Sequence, residues 1–240
     1  MKAAVAAGSA GLGLSTARAL TAEGVQVAIC GRQADRVDAA VAELGGDTVG
    51  FAIDVGTSEA ATGFVEQAIG AMGQVDILVT NAGGPPLGTF ESTDLDAYRL
   101  ALDLNLLSTV AMARAAIPAM RERRWGRVVA ITSIGAKEPI GNLMASSVAR
   151  AGVTSFVKIA AREVARDGVT VNSAQPGLHL TERVRQFGSP EDLAANIPAR
   201  VVGDPDDFGA AVAFLCSRHA RFITGTGLLL DGGATAGLFG

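Results

Sequence analysis

Seven short apolar runs punctuate the chain, at residues 3–7, 25–30, 48–53, 75–80, 127–132, 169–174 and 227–230. Each is continuous in polarity rather than alternating, the pattern of strands covered on both faces of a parallel sheet. Helical spacing fills the intervals. Val37, Ala40, Val41 and Leu44 repeat within 34–44, and 58–72 reads as a helix capped by Thr57 or Ser58. Further helices are expected at 94–123, broken near Asn105, at 145–167 and at 206–217. Repeated strand–helix units of this size predict an α/β fold, a doubly wound and mostly parallel sheet in a single domain covering 1–240. Residues 178–204 carry little periodicity and read as a flap.

In such a sheet ligands lie along the carboxyl ends of the strands. The first of those ends is Val5-Ala6-Ala7-Gly8-Ser9-Ala10-Gly11-Leu12-Gly13-Leu14. Strand, glycine turn and helix in that order build a phosphate site, because glycine lets the backbone approach the pyrophosphate and the helix offers free N–H groups. The spacing is G-x-x-G-x-G, so Ser9, Gly11, Leu12 and Gly13 are candidate cofactor contacts. The remaining strand ends carry Gly31-Arg32, Asp54-Val55, Asn81-Ala82-Gly83-Gly84, Thr132-Ser133 and Pro176-Gly177.

The 240 residues are 49% hydrophobic and 18% charged, enough for a substantial core and unlike a disordered chain. A net charge of −4 argues against a nucleic-acid or anionic-membrane surface. The one basic cluster, Arg121, Arg123, Arg124 and Arg127, suits the C-terminus of a helix. Cys30 and Cys216 are the only cysteines and lack metal-type spacing, so no metal is expected. No apolar run looks long enough to span a bilayer, and the N-terminus reaches Gly8 too early for a signal-peptide core. A reduced, cytoplasmic protein acting on a small molecule is the expectation, with no nucleic-acid or membrane partner.

The strand-end residues resemble the short-chain dehydrogenase/reductase family over nearly the whole length. Gly11 and Gly13 match the last two glycines of its T-G-x-x-x-G-x-G turn, with Ala6 and Ala7 departing from the Thr and the first Gly. Asp54-Val55 resembles the adenine-contacting pair, and Asn81-Ala82-Gly83 the N-A-G signature. Asn105 and Ser133 fall where the family keeps a catalytic Asn and Ser. Pro176-Gly177 with Thr181 resembles the segment that contacts the cofactor's carboxamide, and Asp231-Gly232-Gly233 the closing element. The resemblance implies a Rossmann-type fold, a nicotinamide cofactor, a homotetramer, and ketones, secondary alcohols or oxoacyl thioesters as substrates. Among members it is similar to the 3-oxoacyl-carrier-protein reductases, but divergent. Arg32 lies nineteen residues past Gly13 with no carboxylate beside it, which favours NADP(H) over NAD(H).

The pattern breaks at the acid/base. The family's Tyr and Lys positions hold Ser146 and Arg150, and the chain's single Tyr is Tyr98. A serine hydroxyl is a far weaker acid than a phenol, and a guanidinium keeps its proton. Arg150 retains a charge that could bind ribose hydroxyls. Two other groups are candidate proton donors: His179 on the flap, which titrates near neutrality, and Lys137 at the rim. Three functions follow: an NADP(H)-dependent oxidoreductase of a carbonyl or secondary alcohol with an atypical acid/base, a nucleotide-binding protein without turnover, or a non-redox enzyme on the same scaffold.

Overall fold

The structure is a computed structural model that describes residues 1–237. Seven parallel strands form one sheet in the order β3-β2-β1-β4-β5-β6-β7: β1 Lys2–Val5, β2 Gln26–Gly31, β3 Val49–Ala52, β4 Ile77–Thr80, β5 Gly126–Ile131, β6 Val169–Pro176 and β7 Gly227–Leu230. The strand order reverses between β1 and β4, and a crevice opens at the carboxyl ends of strands flanking such a point. The register pairs Val5 with Ile29 on one side and Val79 on the other, which sets the three strand ends level.

Because every strand is apolar on both faces, two cores form. On one face α3 (Ser58–Met72), α5 (Ser108–Glu122) and α6 (Met144–Val164) bury Phe64, Met112, Met120 and Val157 against Ala4 and Ala28. On the other, α1 (Gly11–Ala22), α2 (Ala34–Leu44) and α8 (Pro205–Cys216) bury Leu20, Phe208 and Leu215 against Val5 and Ile29. The remaining helices are α4 (Leu95–Ala101) and the short α7 (Pro190–Ala194). Thr57, not Ser58, caps α3, its Oγ1 accepting from the Ala60 N–H at 3.2 Å. Tyr98 packs on α4 against Ala101, Ala145 and Ala149, as a structural residue.

The break expected near Asn105 is a π-helical stretch, Leu102–Leu107, between α4 and α5. The whole helical region Leu95–Glu122 has mean hydropathy 1.4 over its most apolar window and the length to cross a membrane, which corrects the expectation that no such run exists. Its apolar side lies in the core through Met112, Ala113, Ala116 and Met120. The basic cluster is held within the fold. Arg121 and Arg124 donate to Asp167 at 2.7 and 3.0 Å, Arg123 to the Val75 carbonyl at 2.7 Å, and buried Arg127 lies 4.6 Å over the Trp125 ring. Cys30 and Cys216 are free and buried in different cores, and burial pushes each thiol up to about 12.

His179, a candidate proton donor on the flap, is packed into the fold. It forms a parallel bridge with Gly203, its ring stands edge-on to Phe208 at 5.2 Å, and the residue is 6% exposed. Gly203 has to be glycine, since a Cβ there would come within 2.7 Å of the imidazole. Burial lowers the His179 pKa, against the opposing pull of the Gly177 carbonyl, Asp204 and Asp207. The packed ring anchors the flap against α8.

At the end of β1, Ala7 has φ 47° and Gly11 φ 55°. The left-handed region is natural to glycine and strained for alanine. Replacing Ala7→Gly should therefore stabilise the protein by about 1 kcal/mol, raising Tm by about 2–4 °C in a thermal melt. His179 makes a second prediction. Its folded pKa lies below the unfolded value of about 6.5, so its contribution is present above that pH and lost as pH falls through the folded pKa. Urea denaturation at stepped pH should show stability declining on the acid side of about 6.5, with a smaller decline in His179→Leu.

Candidate active site

The glycine turn brings α1 close under the end of β1. A Cβ on Gly13 would overlap the Ala7 carbonyl and lie 3.0 Å from Asn81 Nδ2, so Asn81 at the end of β4 is placed over the turn. Ala10 precedes α1 with no side-chain cap, leaving first-turn N–H groups directed into the crevice. A Cβ on Gly31 would overlap Ser9 Oγ, so the second strand end has no space for a side chain, acidic or otherwise. Arg32 follows, exposed. Asp54 Oδ1 accepts from the Gly56 N–H at 3.1 Å, and Val55 beside it is buried. From the flap, Thr181 reaches the same turn, with its Cγ2 3.5 Å from the Cβ position of Gly11. Pro176-Gly177 is tied down by the bond from the Gly177 N–H to the Leu230 carbonyl, 2.9 Å. Ser9, Gly11, Gly13, Gly31, Asn81 and Thr181 are thus drawn to one edge by contacts among themselves, with Leu12, Ala82 and Gly83 on the same turns.

A second cluster lies where β5 ends. Arg150 donates from Nε to Ser146 Oγ at 3.3 Å, and from Nη1 to the Ile131 and Thr132 carbonyls at 3.2 and 2.7 Å. It therefore joins α6 to the residue before Ser133. Ser133 Oγ accepts from the Gly135 N–H at 3.1 Å, in a short turn of 3-10 helix that ends at Lys137. Burial lowers the Arg150 pKa to about 10, aided by the charge of Arg183.

Asn105 is 4% exposed, and neither its Oδ1 nor its Nδ2 has a partner. The π-helical stretch holds it: the Asn105 carbonyl accepts from Thr109 Oγ1 at 2.8 Å, and Thr109 Oγ1 lies 3.3 Å from Thr80 Oγ1, next to Asn81. An unpartnered buried amide is costly, and local π-helix often accompanies functional residues. Lys137 is half-buried and unpaired among the described residues, while the adjacent Glu138 accepts from the Ala236 N–H at 2.9 Å. His179 does not join this group; its contacts are Gly177, Gly203 and Phe208.

Sequence reading missed two arginines. Arg36 of α2 pairs with Glu182 of the flap at 3.2 Å, tying the flap to α2. Arg183 extends across to the loop after β4, where a Cβ on Gly84 would overlap its guanidinium. A cavity of about 410 Å³ lined by His179, Phe208, Asp231 and Gly232 lies between the flap, β7 and α8; its lining includes neither the glycine turn nor Asn105, Ser133 or Arg150.

The fold and these strand ends can be set beside known proteins. A family model described as Enoyl-(Acyl carrier protein) reductase matches residues 6–235. Dehydrogenase/reductase SDR family member 4 of Sus scrofa is 32% identical over 98% of this chain and 87% of its own. L-sorbose reductase from Gluconobacter frateurii, solved with NADPH and L-sorbose, is 28% identical with a TM-score of 0.93, covering 99% of this chain and 97% of that one. An NADPH-bound short chain oxidoreductase from Pseudomonas aeruginosa PAO1, described as containing an atypical catalytic center, is 31% identical with a TM-score of 0.91, covering 98% and 97%. The chain belongs to the short-chain dehydrogenase/reductase family.

Proposed function

We propose that the protein is an NADP(H)-dependent oxidoreductase that interconverts a small carbonyl compound and its secondary alcohol, using an atypical acid. The observation that carries the reading is the Arg150 network, which ties Ser146 to the end of β5 beside Ser133 while Asn105 stays buried and unpartnered nearby. Loss of a catalytic centre through drift would relax such a costly arrangement of buried polar groups. The NADPH-bound Pseudomonas aeruginosa relative with its atypical center supports cofactor use on a site of this kind.

The residues fit the cofactor. The uncapped N-terminus of α1 and the close turn at Gly13 offer the pyrophosphate its N–H groups. Asp54 and Val55 border the adenine, Asn81, Ala82 and Gly83 line the floor, and Thr181 with Pro176-Gly177 holds the carboxamide. Arg32 binds a 2′-phosphate through its forked donors. Arg150 holds ribose hydroxyls. When bound, the nicotinamide supplies or takes up the hydride.

For the rest of the chemistry, the Ser133 and Ser146 hydroxyls polarise the carbonyl oxygen, and Asn105 offers an amide for a water that carries protons inward. A proton must reach that oxygen as the hydride reaches carbon. With no Tyr at the site and His179 packed under the flap, Lys137 is the group left to give it. In the oxidising direction Lys137 receives the proton from the alcohol. A cytoplasmic homotetramer is the assembly we infer from the family.

Two measurements test this. Titration followed by cofactor fluorescence should give saturable binding of NADPH, tighter than NADH. Arg32→Ala should weaken NADPH about ten-fold, the scale of a charged hydrogen bond, and leave NADH nearly unchanged; equal losses would make Arg32 structural. Against a panel of ketones, Lys137→Met should reduce turnover by about a hundred-fold with NADPH affinity retained. Turnover that survives this substitution would remove Lys137 from the chemistry.

A further inference from the structure

We propose that the cavity between the flap, β7 and α8 is a second ligand site, separate from the cofactor crevice, and that it takes a small apolar amine in its protonated form. The site stands whether or not the crevice turns over a substrate.

A buried acceptor marks it. His179 is 6% exposed and lines the cavity. Its Nδ1 lies 3.4 Å from the Gly177 carbonyl, and a carbonyl only accepts, so Nδ1 carries the hydrogen. Nε2 is then the lone-pair side of the ring, and it has no partner among the described residues. Gly203, on the same wall, leaves room beside it: a Cβ there would lie 2.8 Å from Nε2. The edge-on contact with Phe208 at 5.2 Å holds the ring in this direction. Burial, the main cause acting on its pKa, lowers it and keeps the acceptor free of a second proton at neutral pH. A buried nitrogen without a partner carries a cost that a ligand N–H removes.

The walls select the ligand. A volume of about 410 Å³ lies in the range of small-molecule pockets. Ile197, Phe208, Leu229 and Leu230 supply hydrocarbon, Asp204, Asp207 and Asp231 supply carboxylates, and no lysine or arginine lines the cavity among the described residues. Asp204 accepts from the Asp206 N–H at 2.9 Å, and Asp231 from the Gly233 and Thr235 N–H groups at 2.9 and 2.8 Å. Asp207 has no partner among the described residues, whereas its neighbour Asp206 pairs with Arg18. Acids in the first turn of α8 suit its dipole, but the dipole accounts for neither the apolar wall beside them nor the free imidazole nitrogen. No three His, Cys, Asp or Glu side chains among the described residues are placed to hold a metal ion. An anion would meet three carboxylates, and a hydrocarbon would leave Nε2 unsatisfied. An ammonium offers N–H donors to Nε2 and to the carboxylates of the same cavity, while its hydrocarbon lies on Phe208 and the leucines.

The test is calorimetry near neutral pH, without and with saturating NADPH, using phenethylamine, its neutral counterpart phenethyl alcohol and the anion hydrocinnamate. The amine should bind about ten-fold more tightly than the alcohol, the anion should not bind, and NADPH should not displace the amine. Asp207→Asn, on an exposed turn, should weaken the amine about five-fold with circular dichroism unchanged. His179→Leu should weaken it too, and both variants should leave the alcohol unaffected, as lost polar contacts do and a collapsed cavity does not. Asp206→Asn should leave the amine unaffected. Equal binding of amine and alcohol overturns the proposal. So does an Asp206→Asn loss equal to that of Asp207→Asn, since any nearby acid would then serve. Displacement by NADPH also overturns it, because the amine would then lie in the crevice. A protein that binds the amine through His179 and Asp207 yet binds no nicotinamide keeps this site and loses the redox function.

Discussion

The site depends on how closely α1 is allowed to approach its neighbours. Gly13 lies against the Ala7 carbonyl, Gly31 against Ser9, and Gly209 of α8 against the Ser15 backbone; a Cβ at any of the three would overlap what it faces. Close packing forbids even a methyl group there. These contacts fix the N-terminus of α1 under the carboxyl edge of the sheet from three directions. From that edge everything else takes its place: Asn81 over the turn, Thr181 of the flap against Gly11, and the crevice running on to β5.

The replaced acid/base positions form a consistent local structure rather than a gap. Lysine offers one ammonium point, whereas Arg150 spans from Ser146 to two strand-end carbonyls with separate edges of its fork. That geometry cannot relay protons, but it organises α6 against β5. The serine in place of a phenol is small and is held by Arg150, so the hydroxyl remains oriented. On the proposed function a titrating group comes from the rim, where Lys137 has no acid partner among the described residues and the adjacent Glu138 accepts from the Ala236 N–H.

Regular elements were legible because their signals are local. The bounds of α2 and α3 match the periodic stretches 34–44 and 58–72, and the break near Asn105 corresponds to the π-helical stretch Leu102–Leu107. The seven apolar runs became the seven strands, although β6 runs on to Pro176, two residues past its apolar run, through pairing with β7. The flap was not legible. His179 and Arg183 are four residues apart on an aperiodic segment, and their opposite fates depend on Phe208 and Gly84, both distant in sequence. Spacing says nothing about which side of such a segment meets the cleft. The same limit hid the Arg36–Glu182 pair, which joins residues 146 apart.

Two departures from ordinary folding rules lie at the carboxyl edge of the sheet: Ala7 sits at positive φ at the end of β1, and the Asn105 amide is buried without partners. Others lie elsewhere: Arg124 and Arg200 have φ of 57° and 56°, and Thr170 Oγ1 and Gln175 Oε1 are buried without partners. A fold tolerates strain and unpaired charge where a ligand relieves them, and selection for stability alone would remove both. Position alone therefore does not separate the two kinds; what sets Asn105 apart is that both polar atoms of one amide are orphaned, a cost that a hydrogen-bonding group or water would relieve.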